Sequence, residues 1–308
     1  MSPTETILVI VDPRANHHAG LAKGALLAQK SRARIHLFAC NSSGATDERY
    51  LVPADESGRD EEMSSMLQAL ARPLRERGLE VTTQTARGDS LNHAIAECVK
   101  DTRSRLVIND IHQHAVTRRA SLTHGDWELI RSCPAALLLS KPTLWPGRPK
   151  ICAAIDPGHS QQAQMSLDQA VLEQAVMLAR QLEGELHVLH AYIPPAFVVP
   201  VPAVEDFRML ESSHQLVIAQ SHARLRSLKA LASGYGVPDG HVHVTIGPVC
   251  DVLSSLVREL KASILVMGAV SRSALRADVI GSTAEALLEK IACDVLVVST
   301  PDSAIPLH

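Results

Sequence analysis

Aromatic side chains are scarce. Two tryptophans, three tyrosines and three phenylalanines make up 3% of the 308 residues, too few for a stacking platform that holds single-stranded nucleic acid. No basic run tracks a phosphate backbone, charged residues are 20% and the formal net charge is -3, so nucleic acid is not the expected partner. No uninterrupted apolar run approaches the ~20 residues that cross a bilayer. Met1-Ser-Pro-Thr-Glu-Thr6 leads directly into an apolar strand, without the basic start and apolar core of a signal peptide. The expectation is a soluble cytoplasmic protein. The six cysteines, Cys40, Cys98, Cys133, Cys152, Cys250 and Cys293, include no Cys-x-x-Cys pair, which favours reduced, buried thiols over a disulfide framework. There is no Gly-x-Ser-x-Gly elbow, no glycine loop ending in Lys-Ser or Lys-Thr, and no Ser, His and Asp placed on matching turns. Nothing in the chain demands catalysis.

What is present is a repeat. Ile7-Leu-Val-Ile-Val-Asp12-Pro13 followed by Ala33-Arg-Ile-His36 returns as Ile151-Cys-Ala-Ala-Ile-Asp156-Pro157 followed by Glu185-Leu-His187. Both copies close alike, at Cys133-Pro-Ala-Ala-Leu-Leu-Leu-Ser140 and Cys293-Asp-Val-Leu-Val-Val-Ser299. The Asp-Pro pairs are 144 residues apart and the closing cysteines 160 apart, a domain-sized period rather than a solenoid's. We expect one domain over 1–141, a stiff linker over 142–149 containing Pro142, Pro146, Gly147 and Pro149, and a second domain over 150–308.

Short β-branched runs alternate with helical patterns in each copy, as in crossover units of a parallel sheet. The pattern predicts strands near 6–12, 33–40, 79–86, 105–110 and 135–140, and again near 150–156, 185–191, 241–246, 263–268 and 294–299. Helices are expected near 17–31, 58–77, 89–102 and 125–132, then near 161–183, 204–233, 249–261 and 282–292. The fold class is α/β.

Strand four of the second copy ends in Met267-Gly268, followed by Ser271-Arg272 and then Gly281-Ser282-Thr283. The two glycines are 13 positions apart, and the second opens a helix with a hydroxyl pair. This is an anion-site pattern: glycine admits a phosphate close to the backbone, and free N–H groups at a helix start point at it. Ser282 and Thr283 add hydroxyl donors. Asp156 would face the same crevice from the end of strand one, as an acceptor suited to an amine edge such as adenine's.

These residues resemble the nucleotide-binding members of the universal stress protein family, which carry Gly, two residues, Gly, nine residues, then Gly and Ser or Thr. Gly268 and Gly281-Ser282 match at the family's spacing. Asp156 stands where the family's adenine-contacting Asp stands, and Ala191 at its small apolar base contact. Tandem repetition, Asp126-Trp127 with Cys133-Pro134, and Leu186-His-Val-Leu-His190-Ala-Tyr192 look most like E-type tandem members. The resemblance implies two open five-stranded parallel sheets of order three-two-one-four-five, of the adenine nucleotide alpha-hydrolase-like kind, with helices on both faces. It also implies pairing of the two copies through their last strands as a pseudo-dimer, with dimerisation of the whole chain left open.

Ser271 replaces the family's middle glycine, which weakens the cradle, while Arg272 beside it can pair with an anion. In the first copy Asn109 and His112 occupy the glycine positions and Gly125-Asp126 replaces Gly-Ser. A carboxylate there caps the helix and repels phosphate, so no nucleotide is expected in the first copy.

Three functions follow in order. The first is a non-catalytic stress-response protein that binds a small ligand, ATP with magnesium, in the second copy. The second is a binder of an amphiphile or protein segment at the same cleft and the proline-rich apolar loop 192–202. The third is a nucleotidyl transferase, by fold analogy alone. No metal site is expected: His112, His114 and His124 fit no zinc spacing. His241 and His243 share a strand face, and His36 and His187 recur at one place in the repeat, which favours a structural job. Cys250-Asp251 reads as a helix-capping region rather than a reactive thiol.

Overall fold

The structure, a computed structural model, describes residues 5–42, 59–88, 90–111, 122–157, 162–194, 207–268 and 282–299. It contains two compact units. One gathers Met1–Arg148 with the last strand of the chain, the other Pro149–Gly268 with Ser282–Cys293.

In the first unit the elements are β1 (Thr6–Ile10), α1 (Ala19–Ser31), β2 (Arg34–Ser42), α2 (Arg59–Glu76), β3 (Val81–Gly88), α3 (Leu91–Thr102), β4 (Ser104–Asp110), α4 (His124–Ser132) and β5 (Ala136–Ser140). Parallel pairing gives the order β3-β2-β1-β4-β5, the expected three-two-one-four-five. Strands such as Ile7–Ile10 and Leu137–Leu139 are buried throughout because helices cover both faces of a parallel sheet, so no polar alternation survives in their sequence.

The second unit repeats the plan with β6 (Lys150–Ala154), α5 (Gln162–Gln181), β7 (Glu185–Tyr192), α6 (Phe207–Ser233), a 3-10 turn at Asp239–His241, β8 (Val242–Ile246), α7 (Val249–Glu259), β9 (Ile264–Gly268) and α8 (Ser282–Lys290). Its parallel order is β8-β7-β6-β9. The fifth strand of the second repeat, β10 (Asp294–Val298), is counted with the first unit and runs antiparallel to β5, Leu296 opposite Leu138.

The repeat extends to backbone strain. Arg32 and Arg103 lie just past α1 and α3, Glu183 and Lys261 just past α5 and α7, with φ of 58, 51, 52 and 55°. A side chain in the left-handed region costs about 1 kcal/mol, and the same two helix-to-strand junctions carry it in both copies.

One buried ion pair joins the repeats inside the first unit. Lys23 of α1 places Nζ 2.7 Å from Asp294 Oδ2, and the two residues are 2% exposed each. The ammonium's other donors reach Lys141 O at 2.6 Å and Ser140 Oγ at 3.2 Å. Asp294 accepts from Lys141 N at 2.8 Å and Trp145 Nε1 at 2.7 Å. Burial holds the Asp294 carboxyl above its usual range, against the pull of Lys23 and the linker donors. Among the described residues no helix is long and apolar enough to cross a membrane.

Candidate functional site

The register of the second unit brings Asp156, Ala191, Met267 and Gly268 to one end of the sheet. Ala154 of β6 pairs with Leu189 of β7 on one side and Met267 of β9 on the other. Asp156 is two residues beyond Ala154, Ala191 two beyond Leu189, and Gly268 one beyond Met267. The chain leaves β6 toward β7 on one flank while β9 fills the other, so these carboxyl ends form the topological switch point where open α/β sheets collect ligands.

Ala191 and Met267 are buried walls. The Asp156 side chain is 18% exposed, open enough to accept a hydrogen bond from a ligand. Its backbone N donates to Asp168 Oδ1 of α5 at 3.2 Å. His190 lies beneath, Nδ1 3.1 Å from Ile155 O and 3.7 Å from Asp156 Oδ1. A carbonyl only accepts, so Nδ1 carries a proton. Arg224 of α6 approaches Nε2 at 3.2 Å, and because guanidinium only donates, Nε2 is the acceptor. The His190 ring is therefore the neutral Nδ1–H form. Arg224 also lies 4.3 Å from the centroid of Tyr192, and Tyr192 stacks on His190 at 5.6 Å. Sequence reasoning missed this Arg224–His190–Tyr192 stack, since Arg224 sits on a helix more than thirty residues away in the chain.

Gly268 has a packing job. A Cβ built there would lie 2.5 Å from Leu167 Cδ2 and 2.9 Å from Leu167 Cγ, so the missing side chain is what lets α5 close on β9. Of the remaining candidates, Ser271, Arg272 and Gly281 lie outside the described residues, and Ser282 and Thr283 open α8 with side chains outside them. Residues 195–202 of the apolar loop, His112 and His114 also lie outside. Ile193, at the start of that loop, is 47% exposed.

In the first repeat the corresponding place is closed by its own polar groups. Asn109 Nδ2 donates to Asp126 Oδ1 at 2.8 Å, and both residues are buried. Asp126 occupies the third position of α4 in a capping box with Thr123, its Oδ2 accepting from Thr123 N at 2.8 Å. Asp110 accepts from Gly20 N at 2.7 Å at the start of α1. Carboxylates thus sit at the starts of α1 and α4, where they complement the helix N–H groups.

Residues 148–299 match the universal stress protein family. Universal stress protein E of Escherichia coli K12 is 24% identical, covering 100% of this chain and 98% of its own. The second repeat belongs to the universal stress protein family. A Haemophilus influenzae homologue of universal stress protein E is 26% identical over 95% of this chain and 96% of its own. A crystal structure of a protein of unknown function from Pseudomonas aeruginosa PAO1 superposes with a TM-score of 0.77 at 26% identity, covering 98% of this chain and 94% of that one. The family match falls on the second repeat.

The remaining candidates resolve simply. His36 of β2 is held by Thr82 Oγ1 at 2.7 Å and Gln84 Oε1 at 3.2 Å, the structural job its recurrence suggested. His124 is exposed beside Glu128 on its own helix. Burial pushes the Cys250 thiol up, the opposite of what a reactive thiolate needs.

Proposed function

We propose that this universal stress protein is a non-catalytic stress-response protein that binds ATP, with magnesium, at the switch point of its second repeat. The first repeat serves as scaffold, and ligand occupancy alters contacts with a partner protein. The observation that carries the reading is the register that sets Asp156, Ala191, Met267 and Gly268 side by side at the carboxyl ends of β6, β7 and β9. The base would lie against Ala191 and Met267 with its amine on Asp156. The phosphates would lie on the Gly268 backbone, Ser271, Arg272, Gly281, Ser282 and Thr283, at the start of α8. The β5–β10 ladder supports pairing of the two repeats through their last strands within one chain.

Calorimetric titration with ATP and magnesium tests the proposal. Saturable micromolar binding is expected, lost in Gly281→Trp. Asp156→Ala should weaken ATP by roughly 10- to 100-fold, the worth of one hydrogen bond to a carboxylate, and leave GTP little changed. Absence of saturation, or equal binding by Gly281→Trp, would refute it. Recovery of an amphiphile from the gently purified protein by native mass spectrometry would instead move the site to the apolar loop that begins at Ile193.

A further inference from the structure

We propose that Glu185, His187 and His241 form a binding site for a divalent transition-metal ion of the zinc class at the amino-terminal edge of the second unit's sheet. This site is distinct from the switch point. Glu185 opens β7, whereas Ala191 is near its other end, about 20 Å away at strand rise.

The register builds the cluster. Leu189 of β7 pairs with His243 of β8. Strand alternation therefore turns Glu185 and His187 to the same face as His243, with His241 preceding it in the 3-10 turn. One nitrogen from each of His187 and His241 and one Glu185 oxygen lie within 4.8 Å of one another. His241 Nε2 is 3.5 Å from Glu185 Oε1, and the His187 and His241 ring centroids are 4.4 Å apart.

The hydrogen-bond pattern then points to a cation. His241 Nδ1 donates to Leu186 O at 3.1 Å, which turns Nε2 toward the Glu185 carboxylate. His187 meets His243 Nε2 through Nδ1 at 3.1 Å. Its Nε2 is buried with no hydrogen-bond partner, in a residue only 4% exposed. A buried ring nitrogen so placed is costly unless something pairs with it. His241, with Nδ1 on a backbone carbonyl and Nε2 turned to the cluster, has the arrangement in which proteins hold metal-ligating histidines.

The first repeat is an internal control. His36 occupies the position of His187 and is opposite Thr82, where His187 has His241. Thr82 and Gln84 satisfy both ring nitrogens of His36. Replacing that hydroxyl and amide by His241 and His243, and Arg34 by Glu185, trades a closed hydrogen-bond set for two imidazoles, a carboxylate and an orphaned nitrogen.

Two nitrogens and one oxygen suit zinc and its neighbours over magnesium or calcium, which take oxygen. Tetrahedral zinc wants ligand atoms roughly 3.3 Å apart, within reach of side-chain rotation at half-exposed Glu185 and His241. Lys150 Nζ is 3.6 Å from the other oxygen, Oε2, leaving Oε1 for the ion. A cavity of about 460 Å³ lined in part by Arg180, Glu185, Tyr235 and His241 opens beside two of the three ligands and offers an ion a way in.

The test is titration of the chelator-stripped full chain with zinc, read by calorimetry and by the thermal midpoint. We expect one equivalent bound at micromolar Kd or tighter and a raised Tm. Glu185→Gln and His241→Gln, both at half-exposed positions and each checked against the parent by circular dichroism, should weaken binding at least 10-fold and abolish the Tm rise. His36→Gln should change neither. Zinc binding that is absent, or equal in Glu185→Gln, His241→Gln and the parent, would overturn the proposal. Neither result bears on ATP binding at Asp156.

Discussion

Replacing Lys23 by Met removes the positive half of a pair that is 2% exposed on each side. Three interactions of the ammonium vanish, with Asp294 Oδ2 at 2.7 Å, Lys141 O at 2.6 Å and Ser140 Oγ at 3.2 Å. Asp294 keeps the Lys141 and Trp145 donors but loses its counter-charge in a buried setting. Breaking a buried pair from one side costs about 3–5 kcal/mol, and the surviving donors place Lys23→Met toward the lower end of that range at neutral pH. Asp294 already titrates above its ordinary value because of burial, and without Lys23 it rises further. A raised carboxyl contributes stability present below its unfolded pKa and lost as pH rises through the folded one. The defect should therefore shrink as pH is lowered toward 5. Lys23→Met combined with Asp294→Asn should be more stable than Lys23→Met alone, because no charge is left stranded.

The chain's two tryptophans, Trp127 and Trp145, both lie within Met1–Arg148. Urea unfolding followed by tryptophan fluorescence therefore reports the first unit, and Trp145 reports the pair itself. A loss below about 1 kcal/mol for Lys23→Met, or a double variant whose loss equals the sum of the two single losses, would refute the assignment of a coupled buried pair.

Gly268→Ala should destabilise the second unit by about 1–3 kcal/mol through overpacking against Leu167; an unchanged midpoint in far-UV circular dichroism would show that α5 yields freely. Native protein at pH 8 should leave Cys40, Cys98, Cys133 and Cys152 unalkylated by iodoacetamide, since burial pushes these thiols up to about 11 or 12, and mass spectrometry after a short pulse checks each site. His36 is held below its ordinary value by burial, so it contributes stability present above pH 6.5 that is lost as pH falls through its folded pKa. His36→Gln should flatten the acid limb of the first unit's urea midpoint, and an unaltered slope would refute the cause.

What was legible in the sequence was local and periodic. Runs such as Leu137-Leu-Leu139 and Leu265-Val-Met267 announced buried strands because a parallel sheet needs apolar side chains on both faces. The order of five strands followed from the family resemblance. The capping role of Asp126 was readable from its place at a helix start, and the structure adds that it also accepts from Asn109 at 2.8 Å.

Residues whose role depends on a distant partner were not legible. Lys23 lies on a helix where a lysine ordinarily faces water, and Asp294 begins a strand after a loop. Only the arrival of β10 beside β5, 153 residues from Lys141 to Asp294 along the chain, makes either one a core residue. Gly268 carried the opposite ambiguity: glycine before a phosphate loop and glycine beneath a close-packed helix are the same letter, and the second role is the one Leu167 imposes. The histidines mark the boundary between these cases. Glu185-x-His187 and His241-x-His243 are each visible as a one-face pair, but a one-residue slip in the β7–β8 ladder would turn one pair to the opposite face. The Leu189–His243 register converts two ordinary strand patterns into one cluster. That is why the chemistry of the amino-terminal edge depended on the fold, while that of the switch point could be sought in spacing alone.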